Sequence, residues 1–142
     1  MVAHDWGGCG EAVCDKAIQL ASMGYVGFAI DMYGQAQLGY DKAERRALMT
    51  PLIQNRQKLA ARITAAFNHL TQLPQIDKDK IAAIGYCFGG LCVLDLARSG
   101  ADVKGVVSFH GLLSAPEGAI KTHLNTKILA PKDHHNRVIP VF

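Results

Sequence analysis

Short apolar runs rich in Val, Ile and Ala alternate along this chain with segments whose apolar positions recur at helical spacing. Met1-Val2-Ala3-His4 reads as the end of a strand, and Glu11 to Met23 as a helix with Ala17, Leu20 and Ala21 on one face, stopped by Gly24. Tyr25 to Ile30 predicts a buried strand ending at Asp31, and a loop rich in Gly and Gln follows from Tyr33 to Tyr40. Asp41 to Met49 predicts a short helix. Thr50-Pro51 is a good cap and first-turn pair for a second, longer one, striped with Leu52, Leu59, Ile63, Phe67 and Leu70 and ended by Pro74. Ile81 to Tyr86 predicts a strand, Phe88 to Arg98 a helix closed by Ser99-Gly100, Lys104 to Phe109 a strand, and Thr126 to Ala130 a last short strand.

Strands that are apolar nearly throughout, alternating with helices, imply an α/β fold: a mostly parallel sheet with helices on both faces. In such sheets sites form at the C-terminal strand ends. His4-Asp5, Asp31, Cys87 and His110 all fall there. The chain opens inside a strand and closes at Val138-Ile139-Pro140-Val141-Phe142 without a final helix, so residues 1–142 read as a single partial domain, incomplete at its N- and C-terminal strands.

The stretch Gly85-Tyr86-Cys87-Phe88-Gly89-Gly90, between a strand and a helix, carries the chemistry. Strand, Gly-x-nucleophile-x-Gly, helix is the pattern of a nucleophile elbow, here with cysteine in the place usually held by serine. Side chains beside such a turn are too bulky, so glycine supplies the space and the backbone freedom. The expected reaction is acyl transfer through a covalent intermediate.

Composition narrows the alternatives. With 142 residues, 49% hydrophobic and 19% charged, the chain supports one core and is not disordered. A net charge of +3, with no basic cluster denser than Arg45-Arg46, gives no support to nucleic-acid or membrane-surface binding. No apolar run approaches the length of a membrane span. Four cysteines, at positions 9, 14, 87 and 92, without a secretory leader, point to reduced thiols in a cytoplasm. Their Cys-x4-Cys spacings are too loose for zinc, so no metal is expected.

Three segments together resemble the dienelactone hydrolase family of α/β-hydrolases. They are Val2-Ala3-His4-Asp5-Trp6-Gly7-Gly8, Gly27-Phe28-Ala29-Ile30-Asp31-Met32-Tyr33-Gly34 and Ile84-Gly85-Tyr86-Cys87-Phe88-Gly89-Gly90; Ser108-Phe109-His110-Gly111 also fits. Motif order and spacing agree over roughly residues 2 to 130. The resemblance implies cleavage of a small lactone or carboxylic ester by a Cys-Asp-His triad, with no metal or cofactor. It makes Cys87 the nucleophile, with the backbone N–H groups of Phe88 and Trp6 as oxyanion donors. It places Asp5 where the family has an acidic residue against the resting thiol, although glutamate is usual there. A substrate-carboxylate arginine corresponds to Arg56 or Arg62, and a second would follow the end of the chain. The acid position reads Asn136, with Asp133 three residues early, and the triad histidine would lie past residue 142.

Other residues have plainer readings. His110 follows a strand and stands near the site as a candidate substrate contact, but triad order does not support it as the base. Asp31 reads as a carboxylate anchoring its own loop. His4 reads as structural or loop-orienting, Cys92 as core, Cys9 and Cys14 as small helix-start residues, and Arg45-Arg46 as a solvated face. The leading expectation is a lactone or ester hydrolase acting on a small molecule. The alternative is an inactive, truncated or degenerate remnant that self-associates through exposed sheet edges.

Overall fold

The computed structural model describes residues 1–116 and 126–130. Five strands, β1 (Val2–Ala3), β2 (Ala29–Ile30), β3 (Ala82–Tyr86), β4 (Gly105–Phe109) and β5 (Lys127–Leu129), form one sheet in the order β2-β1-β3-β4-β5. Every pairing is parallel, so all C-terminal strand ends share one edge. The helices among the described residues are α1 (Glu11–Ser22), α2 (Lys42–Gln54), α3 (Arg56–Leu70) and α4 (Phe88–Arg98), with a 3-10 turn at Lys78–Lys80.

Side chains on a strand alternate between faces, and the core divides accordingly. Ala3, Ile30, Ala83 and Val106 are buried on one face with Leu52 of α2, Leu59, Ile63 and Phe67 of α3, and Leu91 and Leu94 of α4. Val2, on the other face, packs with Val13 and Ala17 of α1 beside Ala29, Ile84 and Tyr86. Each large apolar side chain buried in this way contributes about 1.5–3 kcal/mol. Helix α4 is buried along its whole length, as expected of a helix apolar on all sides. Its polar members, Asp95 and Arg98, pair with each other at 3.1 Å.

Two local expectations need correction. Thr50-Pro51 does not start a helix; α2 runs through it to Gln54 with Pro51 inside. Proline removes only one backbone donor there, and the break falls at Asn55, whose φ of −122° and ψ of 82° are not helical. The Asn55 side chain accepts from the N–H of Lys58 and so caps α3. The strand expected from Tyr25 is also shorter. It pairs only at Ala29–Ile30, where among the described residues β1 is its one neighbour, and Tyr25 and Val26 are exposed.

Candidate active site

The turn from β3 into α4 has the shape the glycine spacing predicts. Cys87 sits at φ 51° and ψ −112°, a conformation that costs a side-chain-bearing residue on the order of 1–3 kcal/mol. Its surroundings over-determine it. The Cys87 N–H donates to the Phe109 carbonyl at the end of β4 (2.9 Å), and the Cys87 carbonyl accepts from Gly90 (3.0 Å). A Cβ at Gly85 would collide with the Gly89 carbonyl, and one at Gly89 with the carbonyls of Ala3 and His4. The missing side chains are therefore what let α4 start directly above β3 and against the end of β1. Cys87 is half-buried, whereas Cys92, deeper in α4, is fully buried, and burial pushes its thiol well above the usual range.

The loop after β1 meets this turn. The N–H groups of Phe88 and Trp6 have no hydrogen-bond acceptor among the described residues, as oxyanion donors require. Trp6 is held at its carbonyl, in the next peptide unit. Tyr33 donates its hydroxyl to the Trp6 carbonyl at 3.0 Å and stacks on the Phe88 ring at 5.7 Å between centroids. Burial drives the Tyr33 phenol far above its usual range, so it stays a donor. Gly39 donates to the Gly7 carbonyl (2.9 Å), and Gly8 bridges Leu38, tying the loop after β1 to the segment after β2. Arg45 is not a solvated side chain. Its guanidinium lies 5.9 Å from the Trp6 ring centre and its Nε donates to the Gly39 carbonyl.

Asp31 anchors its own loop. Its carboxylate accepts from the N–H groups of Tyr33 (3.0 Å), Gly34 (2.9 Å) and Ala36 (2.8 Å), holding Gln35 and Ala36 at φ 57° and 54°. That brings Tyr33 to Trp6. His4 is a buried brace. Its Nε2 accepts from the Met32 N–H (3.1 Å), which leaves Nδ1 as the donor to the Asp5 carbonyl. Burial pushes the His4 pKa below 6.5. Between the lowered folded value and the unfolded value the unfolded chain binds more protons. The His4 contribution is thus complete above about pH 6.5 and declines as pH falls through that window. Urea midpoints measured from pH 7.5 to 5.5 are expected to fall with pH, and less steeply in His4→Gln.

The remaining candidates divide. Asp5 is exposed and its carboxylate accepts from Gly7 (2.7 Å); among the described residues no hydrogen bond joins it to Cys87. His110 is exposed, at φ 43°, directly after the Phe109 carbonyl that holds Cys87. Both arginines expected at a substrate carboxylate are bonded to protein acceptors. Arg56 makes two 2.7 Å bonds to Asp95, which lies about two turns, roughly 12 Å, along α4 from the elbow. Arg62 donates to the carbonyls of Met32 (2.6 Å) and Tyr33 (2.8 Å) and so supports the loop under Trp6. Asp133 and Asn136 lie outside the described residues. Among the described residues no three His, Cys, Asp or Glu side chains gather as a metal site, and no helix is long and apolar enough to cross a membrane. Sequence reasoning missed Tyr33 and Arg45. The one signal for Tyr33 is its place just after a strand-end aspartate, where a phenol can pack its ring and still reach a carbonyl.

Comparison with known proteins agrees with this fold. The dienelactone hydrolase family profile matches residues 1–140. A dienelactone hydrolase-like promiscuous phosphotriesterase from metagenomic libraries superposes with a TM-score of 0.82 at 34% identity, over 91% of this chain and 54% of its own. A Bradyrhizobium protein named "Probable 2-oxo-3-(5-oxofuran-2-ylidene)propanoate lactonase" is 31% identical over 107 residues, 75% of this chain and 42% of its own length. An uncharacterized Caenorhabditis elegans protein is 50% identical over 62 residues, 43% of this chain and 39% of its own length. The chain thus spans about two fifths of these curated relatives and about half of the solved structure.

Proposed function

We propose that this chain, which belongs to the dienelactone hydrolase family, carries the nucleophile and oxyanion half of a site that cleaves a small lactone or carboxylic ester. The observation that carries the reading is Cys87 at φ 51° between two glycines whose Cβ positions are blocked by backbone. The Cys87 thiolate attacks the ester carbonyl, and the Phe88 and Trp6 N–H groups receive the negative charge on its oxygen. The alcohol leaves, a thioester remains on Cys87, and water hydrolyses it. No cofactor enters this chemistry. The likeness to a lactonase over most of the chain supports the substrate class.

A second reading keeps the fold without turnover, and one observation favours it: among the described residues no histidine is hydrogen-bonded to Cys87. An elbow cysteine without a base forms the acyl-enzyme and stalls. Exposed Ile18, Met23, Tyr25 and Val26, around the approach to the edge strand β2, support self-association in that case.

The test is rapid mixing of the purified chain with a chromogenic aryl ester and with dienelactone. Continuing release after the first equivalent supports the hydrolase. One equivalent of leaving group with no further release, and a thioester on the Cys87 peptide, supports the second reading. No release and no thioester sinks the hydrolase and leaves a fold without this chemistry. Where turnover occurs, Tyr33→Phe is expected to lower kcat about fivefold with little change in KM, because a lost hydrogen bond of about 1 kcal/mol loosens the Trp6 donor and not the substrate pocket.

A further inference from the structure

Cys9 and Cys14 take no part in the proposed chemistry, yet the fold places them together. Gly10 is the N-cap of α1, so Cys9 precedes the cap and Cys14 is the fourth helical residue. These are the staple positions, whose side chains pack against each other across the helix start. Leucine or valine is the usual pair; here both are thiols. Cys14 is exposed, while Cys9 is half-buried against Val2, Val13 and Ala17. Trp6, with its oxyanion N–H, lies just upstream of Cys9, and Gly8 between them bridges Leu38.

We infer that Cys9 and Cys14 form a reversible dithiol–disulfide site that fastens the end of the oxyanion loop to the first turn of α1. A low-molecular-weight disulfide such as oxidised glutathione is the oxidant. Exposed Cys14 attacks it first, forming a mixed disulfide and releasing one glutathione thiol. Cys9 then displaces the second glutathione thiol, losing its proton, and the Cys9–Cys14 bond forms. Two protein thiols are oxidised and one glutathione disulfide is reduced. Burial, and then the neighbouring Cys14, push the Cys9 thiol up to about 11. Capping Cys14 removes its share of that shift, so the second thiol is eased toward reaction only after the first has reacted.

The bond does not depend on the hydrolase reading, and its test involves no turnover. Lys16 places both cysteines in one tryptic peptide, residues 1–16, while Cys87 and Cys92 share another, residues 81–98. The native chain is incubated with oxidised glutathione at mildly alkaline pH, alkylated and digested. Peptide 1–16 is expected to lose both alkylatable thiols, to weigh two hydrogens less, and to regain both thiols with dithiothreitol. Cys9→Ser and Cys14→Ser are each expected to leave a glutathione adduct at the remaining cysteine. A stable glutathione adduct on wild-type peptide 1–16, two unreacted thiols there, or a crosslink from it to peptide 81–98 as the main product overturns the inference.

Discussion

Cys87→Ala is expected to abolish thioester formation and to lower ester or lactone cleavage by a factor on the order of 10⁴ or more, the scale on which losing a nucleophile acts. The comparison is clean because alanine keeps the Cβ, and hence the backbone strain at φ 51°, while removing only the sulfur. Cys87→Gly separates the two effects. Glycine accepts this conformation without strain, which offsets its greater freedom in the unfolded chain. The glycine variant is expected to be inactive and about 1 kcal/mol more stable. Steady-state and burst kinetics with an aryl ester, beside urea unfolding of all three proteins, provide the check. Equal rates for wild type and Cys87→Ala would remove the cysteine from the mechanism. A glycine variant less stable than wild type would remove the strain.

Asp95→Ala is expected to cost about 3–5 kcal/mol, the scale for stripping one partner from a buried ion pair. Asp95 is 2% exposed and holds Arg56 (15%) at 2.7 Å and Arg98 (6%) at 3.1 Å. Without it the two guanidinium groups keep, among the described residues, only carbonyl acceptors, Ser114 for both and Leu113 for Arg98. The segment that β4 feeds would lose its anchor to α4 at the same time. A drop in melting temperature on the order of 10 °C follows for a domain of this size. Thermal unfolding followed by circular dichroism measures it, and a shift within a degree of wild type would contradict it. Replacing all three charges with Met and Leu is expected to recover much of the loss, since apolar side chains of similar volume leave no charge unpaired.

Much of the fold was legible because its signals are local. Near-continuous apolar runs mark strands buried on both faces, and the helical stripe of Leu59, Ile63 and Phe67 marks a helix on that sheet. The elbow was legible for the same reason: glycines two residues on either side of Cys87 mark it, although the Phe109 carbonyl and the end of β1 help to hold it. Helix boundaries were less so. Pro51 looked like a first-turn residue, but packing of Leu52 into the core carries α2 past it, a tertiary effect that outweighs one lost hydrogen bond.

What the sequence determined by itself, then, is the α/β class, the strand-end location of the site, and a strained cysteine turn at residue 87, all consequences of spacing within a few residues. What only the tertiary structure decided is who supports that turn. Tyr33 reaches Trp6, Arg45 covers it, His4 braces the loop, and Arg56 pairs with Asp95. These contacts join residues far apart in the chain. A side chain's partner there depends on which strand ends the parallel sheet brings together and which polar groups burial leaves in need of a bond. Residue type alone carries neither kind of information.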